Sequence, residues 1–345
     1  MKKKPIAAFI FDTHLGENNS SVVSSVFDQA FEIVKSLGLN RLQHGGDIFH
    51  SRKAQTQANL VFLKSIYNKA NEQGIIIDEI IGNHDKTSYD SADSFIDPYE
   101  HHPGVNIIRI ADVGKLTKDI AIHYLSFFSD EQYIQYLLQL DKNPIWKQAK
   151  KHVMLTHIGV AGAMMNNGIR IKSRITADLF KRYDTVLIGH YHDPQEFDNI
   201  VYAGASVQHN FGEQTGKGLT VLYDDLSREL IPLKYPQYLK YEVDPRELND
   251  TDISEIKKEK EESGDHIRIE LVGPEAVVKA FDKKLLEAGG VEVKMKEDLI
   301  SIEDIEARAE PFNVNTIFHE FTEFCITNTL LEKEGLHYLE PVLQI

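Results

Sequence analysis

Asp12 and His14 stand two apart in Phe11-Asp12-Thr13-His14, so an extended backbone puts a carboxylate and an imidazole on one side. Gly45-Gly46-Asp47 sets a second carboxylate behind two glycines, where a chain can turn sharply beside an ion. Gly82-Asn83-His84-Asp85 offers an amide oxygen, an imidazole and a carboxylate in succession. His157 closes an apolar run, and Gly189-His190-Tyr191-His192 adds two imidazoles at alternate positions. Singly, each is an ordinary occurrence. Most histidines are core or surface residues, and His44, His101, His102, His123, His152, His209, His266, His319 and His337 are read that way. The ordered set carries more, because its members gather oxygen and imidazole donors without sulfur. That donor chemistry suits manganese, iron, zinc or magnesium rather than copper(I) or an iron–sulfur cluster.

Something must bring these residues together, and the elements around them show how. Residues 6–11 read as a buried strand, and residues 75–81 as a second. Two further short apolar runs, 152–156 and 185–188, end just before His157 and Gly189-His190. Residues 20–37 carry Val23, Val26, Phe27, Ala30, Phe31 and Val34 at helical spacing with Gly38 as a C-cap, and another helix is expected over 54–70. Strands alternating with helices predict a layered α/β fold, and ligands placed after strand ends are gathered at one sheet edge. Residues 218–223 and 229–233 form a hairpin pattern around Asp224-Asp225. Near residue 240 the character changes. A charge run at 257–262 reads as a solvated helix end or linker. Residues 266–272, a helix over 274–288 and residues 290–295 then make a β-α-β unit, followed by a mostly helical stretch over 301–345. The expected divisions are 1–240, 241–300 and 301–345.

The totals set limits. The 345 residues are 42% hydrophobic and 26% charged, an ordinarily globular balance. A net charge of −15 argues against tight unaided binding to nucleic acid, whose affinity comes mainly from cations meeting phosphates. DNA remains open as a substrate if metal ions and a partner supply positive charge. Cys325 is the single cysteine, so no disulfide forms within the chain and a cytoplasmic home is expected. The Met1-Lys2-Lys3-Lys4 start precedes an apolar stretch too short for a signal peptide or a membrane span, so no membrane association is expected.

In this order, the motifs resemble the calcineurin-type metallophosphoesterase superfamily. Phe-Asp-Thr-His-Leu-Gly and Gly-Gly-Asp-Ile-Phe-His-Ser-Arg resemble, within it, the SbcD-type double-strand-break repair nucleases, especially the short versions that bacteriophages encode. The similarity is specific over 1–215 and architectural beyond about 240. It implies two mixed β-sheets flanked by helices, a small β-α-β capping domain and a C-terminal helical segment. It also implies two divalent metal ions, manganese first among them, with Mg2+, Fe2+ or Zn2+ as alternatives. Asp12, His14 and His192 would hold one ion and Asn83, His157 and His190 the other, with Asp47 bridging. A carboxylate can bridge two cations about 3.5–4 Å apart, which a neutral imidazole cannot. His84 matches the position facing the leaving oxygen, with Asp85 as the partner that would orient it and raise its pKa. His50 matches a further histidine near the substrate. Arg52 and Lys53, and Arg170, Lys172 and Arg174 in the loop after Gly168, are candidate DNA contacts.

The function so implied is a DNA nuclease subunit of repair and recombination, a 3′→5′ exonuclease on duplex ends and an endonuclease on single strands. A homodimer and an SbcC-like ABC-type ATPase with a coiled coil would complete it. The ATPase would gate access of DNA, and Phe312, Val314, Ile317, Phe318, Phe321 and Phe324 would supply the docking face. Two departures stand out: His157 sits in the looser Leu-Thr-His-Ile-Gly, and Gly204-Ala205-Ser206 replaces the Gly-Ser-Pro common among relatives. The metal motifs alone leave open a phosphatase or phosphodiesterase of a small nucleotide, and a third, non-catalytic reading is a scaffold that organises the ATPase and DNA.

Overall fold

The computed structural model describes residues 3–140, 142–165 and 168–297. The expected helical stretch over 301–345, with its phenylalanines, lies outside the described residues.

Strands β1 (Pro5–Ile10), β2 (Arg41–His44), β3 (Ile76–Ile80) and β4 (Val105–Ile108) lie side by side and parallel. Helix α1 (Ser20–Ser36) links the first two and buries Val23, Val26, Phe27, Ala30, Phe31 and Val34, the stripe expected of its spacing. Gly38 follows with φ of +71°, the left-handed turn that ends a helix without a Cβ penalty. Helix α2 (Gln57–Glu72) links the next pair. It begins later than expected because the Thr56 hydroxyl accepts the Asn59 N–H at 3.2 Å and caps it.

A second sheet follows. Its strands are β5 (Ala111–Lys115), β6 (Ile120–Leu125), β7 (Lys151–His157), β8 (Thr185–Gly189), β9 (Gln195–Phe197) and β10 (Ile200–Tyr202), in the order β5-β6-β7-β8-β10-β9. Helix α3 (Asp130–Leu140) lies between β6 and β7 in the chain. The chain then returns to the first sheet through the hairpin β11 (Gly218–Tyr223) and β12 (Arg228–Pro232), with β11 antiparallel to β1. The first sheet thus reads β12-β11-β1-β2-β3-β4, and both sheets are mixed and flanked by helices, as expected.

Side-chain alternation makes three cores from these layers. Ala8 and Ile10 of β1 pack toward α1 and α2, whereas Phe9 and Phe11 face the second sheet and meet Val153, Leu155 and Leu187. Met154, Val186 and Ile188 point the other way, onto Tyr133 and Leu137 of α3. Each such side chain contributes about 1.5–3 kcal/mol on burial. Truncating Phe9, fully buried at the sheet interface, would cost about 3–5 kcal/mol. One seam is polar. Gln43 of β2 donates to Asp78 at 2.8 Å and accepts from the Tyr124 hydroxyl at 2.7 Å, and Asp78 also takes Arg41 and Asn106.

Strands β13 (Tyr238–Val243), β14 (His266–Gly273) and β15 (Glu292–Glu297) form a third sheet in the order β13-β14-β15. The charge run at 257–262 lies within helix α4 (Asp250–Ser263), of which only Ile253 is buried. The single helix expected over 274–288 is two short ones, α5 (Glu275–Ala280) and α6 (Lys284–Glu287), because Phe281 is extended at φ −71°, ψ 129°. Val277, Val278, Phe281 and Asp282 are weak helix formers, so local propensity does not carry the helix through.

The described chain forms two compact units. Residues 3–241, 250–269 and 283–293 make the first, and 242–249, 270–282 and 294–297 the second. Within the second, the Lys296 ammonium meets Glu242 and Glu270, each at 2.6 Å. Both six-stranded sheets and every candidate site residue belong to the first. Among the described residues no helix is long and apolar enough to cross a membrane.

Candidate metal centre

Five strand ends deliver the candidate ligands. β1 leads into Asp12 and His14, β2 into Asp47, and β3 into Asn83 and His84. β7 ends on His157, and β8 runs into His190 and His192. Parallel strands release their loops at the same edge, which is why residues 178 positions apart meet: the His190 N–H donates to the Asp12 carboxylate at 3.0 Å. The loops are laced by backbone bonds, Asp12 N–H to Gly46 O and His14 N–H to Asp47 O, both 3.1 Å.

Close approach has a conformational cost. Asp12, His14, Asp47 and His190 all have left-handed backbone, with φ of +49°, +46°, +56° and +90°. Each costs about 1–3 kcal/mol and persists only where the surroundings dictate it. Two glycines make room. A Cβ on Gly82 would collide with the Asp47 amide and carboxylate, and one on Gly46, whose φ is +88°, would lie 2.7 Å from His157 Nδ1.

Hydrogen-bond partners fix the imidazole tautomers. His14 Nδ1 donates to Phe49 O at 3.2 Å, His192 Nδ1 to Glu213 at 2.8 Å and His157 Nδ1 to Gly45 O at 2.8 Å. Each ring therefore turns its Nε2 inward. His14 Nε2 and His192 Nε2 are 3.1 Å apart. His157 Nε2 stands 3.3 Å from Asp47 Oδ2 and 3.1 Å from Asn83 Oδ1, which is itself 2.8 Å from His190 Nδ1. Asp47 Oδ2 is 3.7 Å from His14 Nε2, so one carboxylate serves both clusters. His14, Asp47 and His84, and Asp47, His157 and His190, form two groups whose donor atoms lie within 4.8 Å of one another.

Two carboxylates buried this close together are costly without positive charge among them, and the imidazole and carboxylate atoms beside them could hold a cation. The charges agree. Burial pushes the Asp12 carboxyl up to about 6, against the pull of His157 and His192. Burial disfavours a charged His157, yet the Asp47 carboxylate beside it raises its pKa to about 9, so a cation is wanted there in some form. Burial would also raise Asp47, but His157 and His14 hold it well below the usual carboxylate range. These oxygen and nitrogen donors fit divalent ions and could hold them.

His84 sits at the mouth. Its Nδ1 bonds to His50 O at 2.6 Å, while its Nε2 is 3.9 Å from Asp47 Oδ2 and accepts the Arg52 guanidinium at 2.7 Å. Burial lowers its pKa, with Asp47 opposing. The group that orients His84 is thus the His50 carbonyl. The expected partner, Asp85, instead accepts the backbone N–H groups of Asp47, Phe49 and Gly82 at 2.8–3.0 Å and ties two ligand loops together. The sequence pattern could not separate these roles, because adjacent residues on a turn point apart. The His50 ring is exposed, 5.8 Å from that of His14. Arg52 bonds the Tyr89 hydroxyl as well, and Lys53 is exposed beside it. Arg170, Lys172 and Arg174 lie exposed on the loop after β7, Arg170 donating to Gly162 O at 2.9 Å.

Three contributors were not singled out from the sequence. His209, read above as an ordinary histidine, lies with its ring 4.8 Å from that of His14 and 5.0 Å from that of His192, its Nε2 donating to Asp12 O at 2.7 Å. Burial and the neighbouring His192 push it down to about 4, so it is neutral. Glu213 orients His192; burial would raise its carboxyl, but the His192 bond and Lys217 hold it below its usual value. Lys217, itself buried, donates to His192 O and to Asp193. All three follow Gly204 in a segment without strand or helix, where periodicity gives no signal.

No known family profile matches the chain. Exonuclease subunit 1 of Enterobacteria phage T4 is 25% identical over 182 residues, which is 51% of this chain and 50% of that protein. The 244L protein of Invertebrate iridescent virus 6, whose name places it with the phosphoesterases, is 24% identical over 220 residues, 62% of this chain and 74% of that one. The chain thus spans half the length of the phage relative. Among solved structures, a dimetal phosphatase from Danio rerio superposes with a TM-score of 0.40 at 10% identity, covering 64% of this chain and 94% of that one. The calcineurin-like phosphoesterase YfkN from Bacillus subtilis gives 0.37 at 14%, covering 67% and 89%.

Proposed function

We propose that this chain is a two-metal phosphodiesterase whose substrate is DNA, the nuclease subunit of an SbcCD-type assembly. The carrying observation is the inward convergence of imidazole nitrogens and buried carboxylates at five strand ends, with Asp47 within reach of two clusters. The likeness to a phage exonuclease subunit supports nucleic acid as the substrate.

Asp12, His14 and His192 would hold one ion, Asn83, His157 and His190 the other, and Asp47 both. Bound there, two divalent cations supply neutralisation of phosphate charge and activation of water near neutral pH. The chain's own groups do the rest. Arg52 and His84 share one hydrogen bond at the mouth, so both face the position of a phosphate oxygen beside Asp47. His84, once protonated, can donate to the departing oxygen, and the His50 carbonyl keeps its ring turned for that task.

The wider assembly extends the same reading. Manganese is the proposed metal, and a homodimer joined to a coiled-coil ABC-type ATPase in the cytoplasm is the proposed setting. Residues 241–300 would cap the DNA and 301–345 would dock the ATPase. The net charge of −15 supports a nuclease that borrows positive charge from metals and a partner.

End-labelled duplex and single-stranded DNA, incubated with the purified chain and manganese, with and without chelator, test the reading. Metal-dependent cleavage is expected. Turnover of a nucleotide monoester or cyclic diester with no DNA cleavage would replace DNA by a small nucleotide.

A further inference from the structure

Beside the ligand cluster, between His14 and His50 on one side and Tyr238 and His266 on the other, lies a cleft of about 330 Å³, within the size range of small-ligand sites. Resting on the DNA reading above, we propose that this cleft receives an unpaired nucleobase of the strand being cut, stacked on the ring pair of Tyr238 and His266.

Four observations support a base as the occupant. The first is the platform. Tyr238 and His266 are stacked at 4.3 Å between ring centroids with 18° between planes, and His266 is exposed. Behind them Phe211 meets Tyr238 edge-on at 5.1 Å, and the Arg268 guanidinium lies over Phe211 at 3.9 Å, so a cation, two aromatic rings and an imidazole follow one another in one series. Stacking on such rings is indifferent to base identity, because every base has a π-face.

The second is rigidity. Gln208, next to His209, clamps the Tyr238 backbone from both sides: its Oε1 accepts the Tyr238 N–H at 3.0 Å and its Nε2 donates to Tyr238 O at 3.3 Å. The same Nε2 reaches Glu213 O at 3.0 Å, on the loop that orients His192. The ring pair is therefore fixed relative to the candidate ligands. The backbone of His266 is held in turn by its N–H to Gln237 O at 2.7 Å.

The third is charge. Imidazoles, the amides of Asn18 and Asn19, and the carboxylate of Glu17 line the cleft, and no lysine or arginine does. That lining repels phosphate and suits the uncharged, hydrogen-bonding part of a nucleotide. The fourth is continuity: His14 belongs both to the cleft and to the candidate metal set, so a phosphate held at the ligands leaves its neighbouring base at the cleft.

The test uses the full chain with manganese and two probes. Single-stranded oligonucleotides carrying a base or an abasic tetrahydrofuran residue at successive positions near the labelled end report selectivity. A 2-aminopurine nucleoside monophosphate, whose fluorescence is quenched on stacking, reports the base site without cleavage. Wild type should prefer one base-bearing position over its abasic counterpart by about 5- to 150-fold in KM. Tyr238→Leu, which keeps bulk and removes the π-face, should erase the preference and the quenching, as should His266→Ala in part; Tyr238→Phe should keep both. DNA cleavage without any base preference would overturn the cleft and leave the nuclease reading standing. Tyr238-dependent quenching by a chain that cuts no DNA would keep the base site and overturn DNA as the substrate. Quenching unaffected by Tyr238→Leu would place the base elsewhere.

Discussion

The two halves of the candidate centre are built differently. On the side of His14 and His192, buried charged and polar groups brace the candidate ligands: Glu213 holds His192, Lys217 holds the His192 carbonyl and Glu213, and His209 packs against both rings. On the side of His157 and His190 the bracing is backbone and aromatic. Gly45 O fixes His157, Asn83 joins the two rings, and Phe127 lies against His190 at 6.2 Å and His157 at 6.3 Å. A carboxylate behind an imidazole raises its basicity as a ligand, whereas a carbonyl or a phenyl ring mainly fixes its direction. The first half should therefore depend on single side chains, and the second on the fold as a whole.

Asp47→Ala breaks the comparison outright, because both halves share that carboxylate. DNA cleavage should fall about 1,000-fold, the upper end for loss of one charge-stabilising group, and calorimetric titration with manganese should lose both binding steps. One surviving tight step would show that Asp47 serves a single ion. His84→Ala stands outside both halves. It should cost about 100-fold in kcat with the two binding steps unchanged, and loss of a step would move His84 into the ligand set.

Glu213→Gln separates the halves. One binding step should weaken about 10- to 100-fold while the other holds, and equal weakening of both would deny the division. Phe127→Leu is the matching change on the other side. It keeps an apolar backing, so stability should drop by only about 1 kcal/mol in denaturant melts, with both binding steps retained. A selective loss at one step would show that the ring does more than fill space.

Much of this was legible in the sequence, for a physical reason. Asp12, His14, Asn83, His157 and His190 follow or end strands so apolar that the break to a polar candidate ligand is visible in the letters. Strand β2 was not legible: Arg41-Leu42-Gln43-His44 carries only one apolar side chain, because Gln43 and Asp78 meet Tyr124 in a polar seam that only the second sheet creates. The bracing residues were equally silent. Glu213 and Lys217 owe their burial to His192 and Asp193, some two dozen positions earlier, and no local period records that. Asp85 was read for its neighbour in sequence, His84, yet its partners lie across the turn at Asp47 and Phe49. The break at Phe281 shows the converse, a helical pattern interrupted by weak local preference.

The position of β1 has a consequence in time. It lies between β2, which follows within 40 residues, and β11, which comes after residue 217, and it carries Asp12 and His14 at its end. Synthesis therefore delivers Asp12 and His14 some two hundred residues before Glu213 and before the strand that closes the far edge of β1. Until β11 arrives, β1 has one open edge, although all seven candidate ligands precede β11 in the chain. The first sheet is therefore completed late in synthesis, when β11 closes against β1.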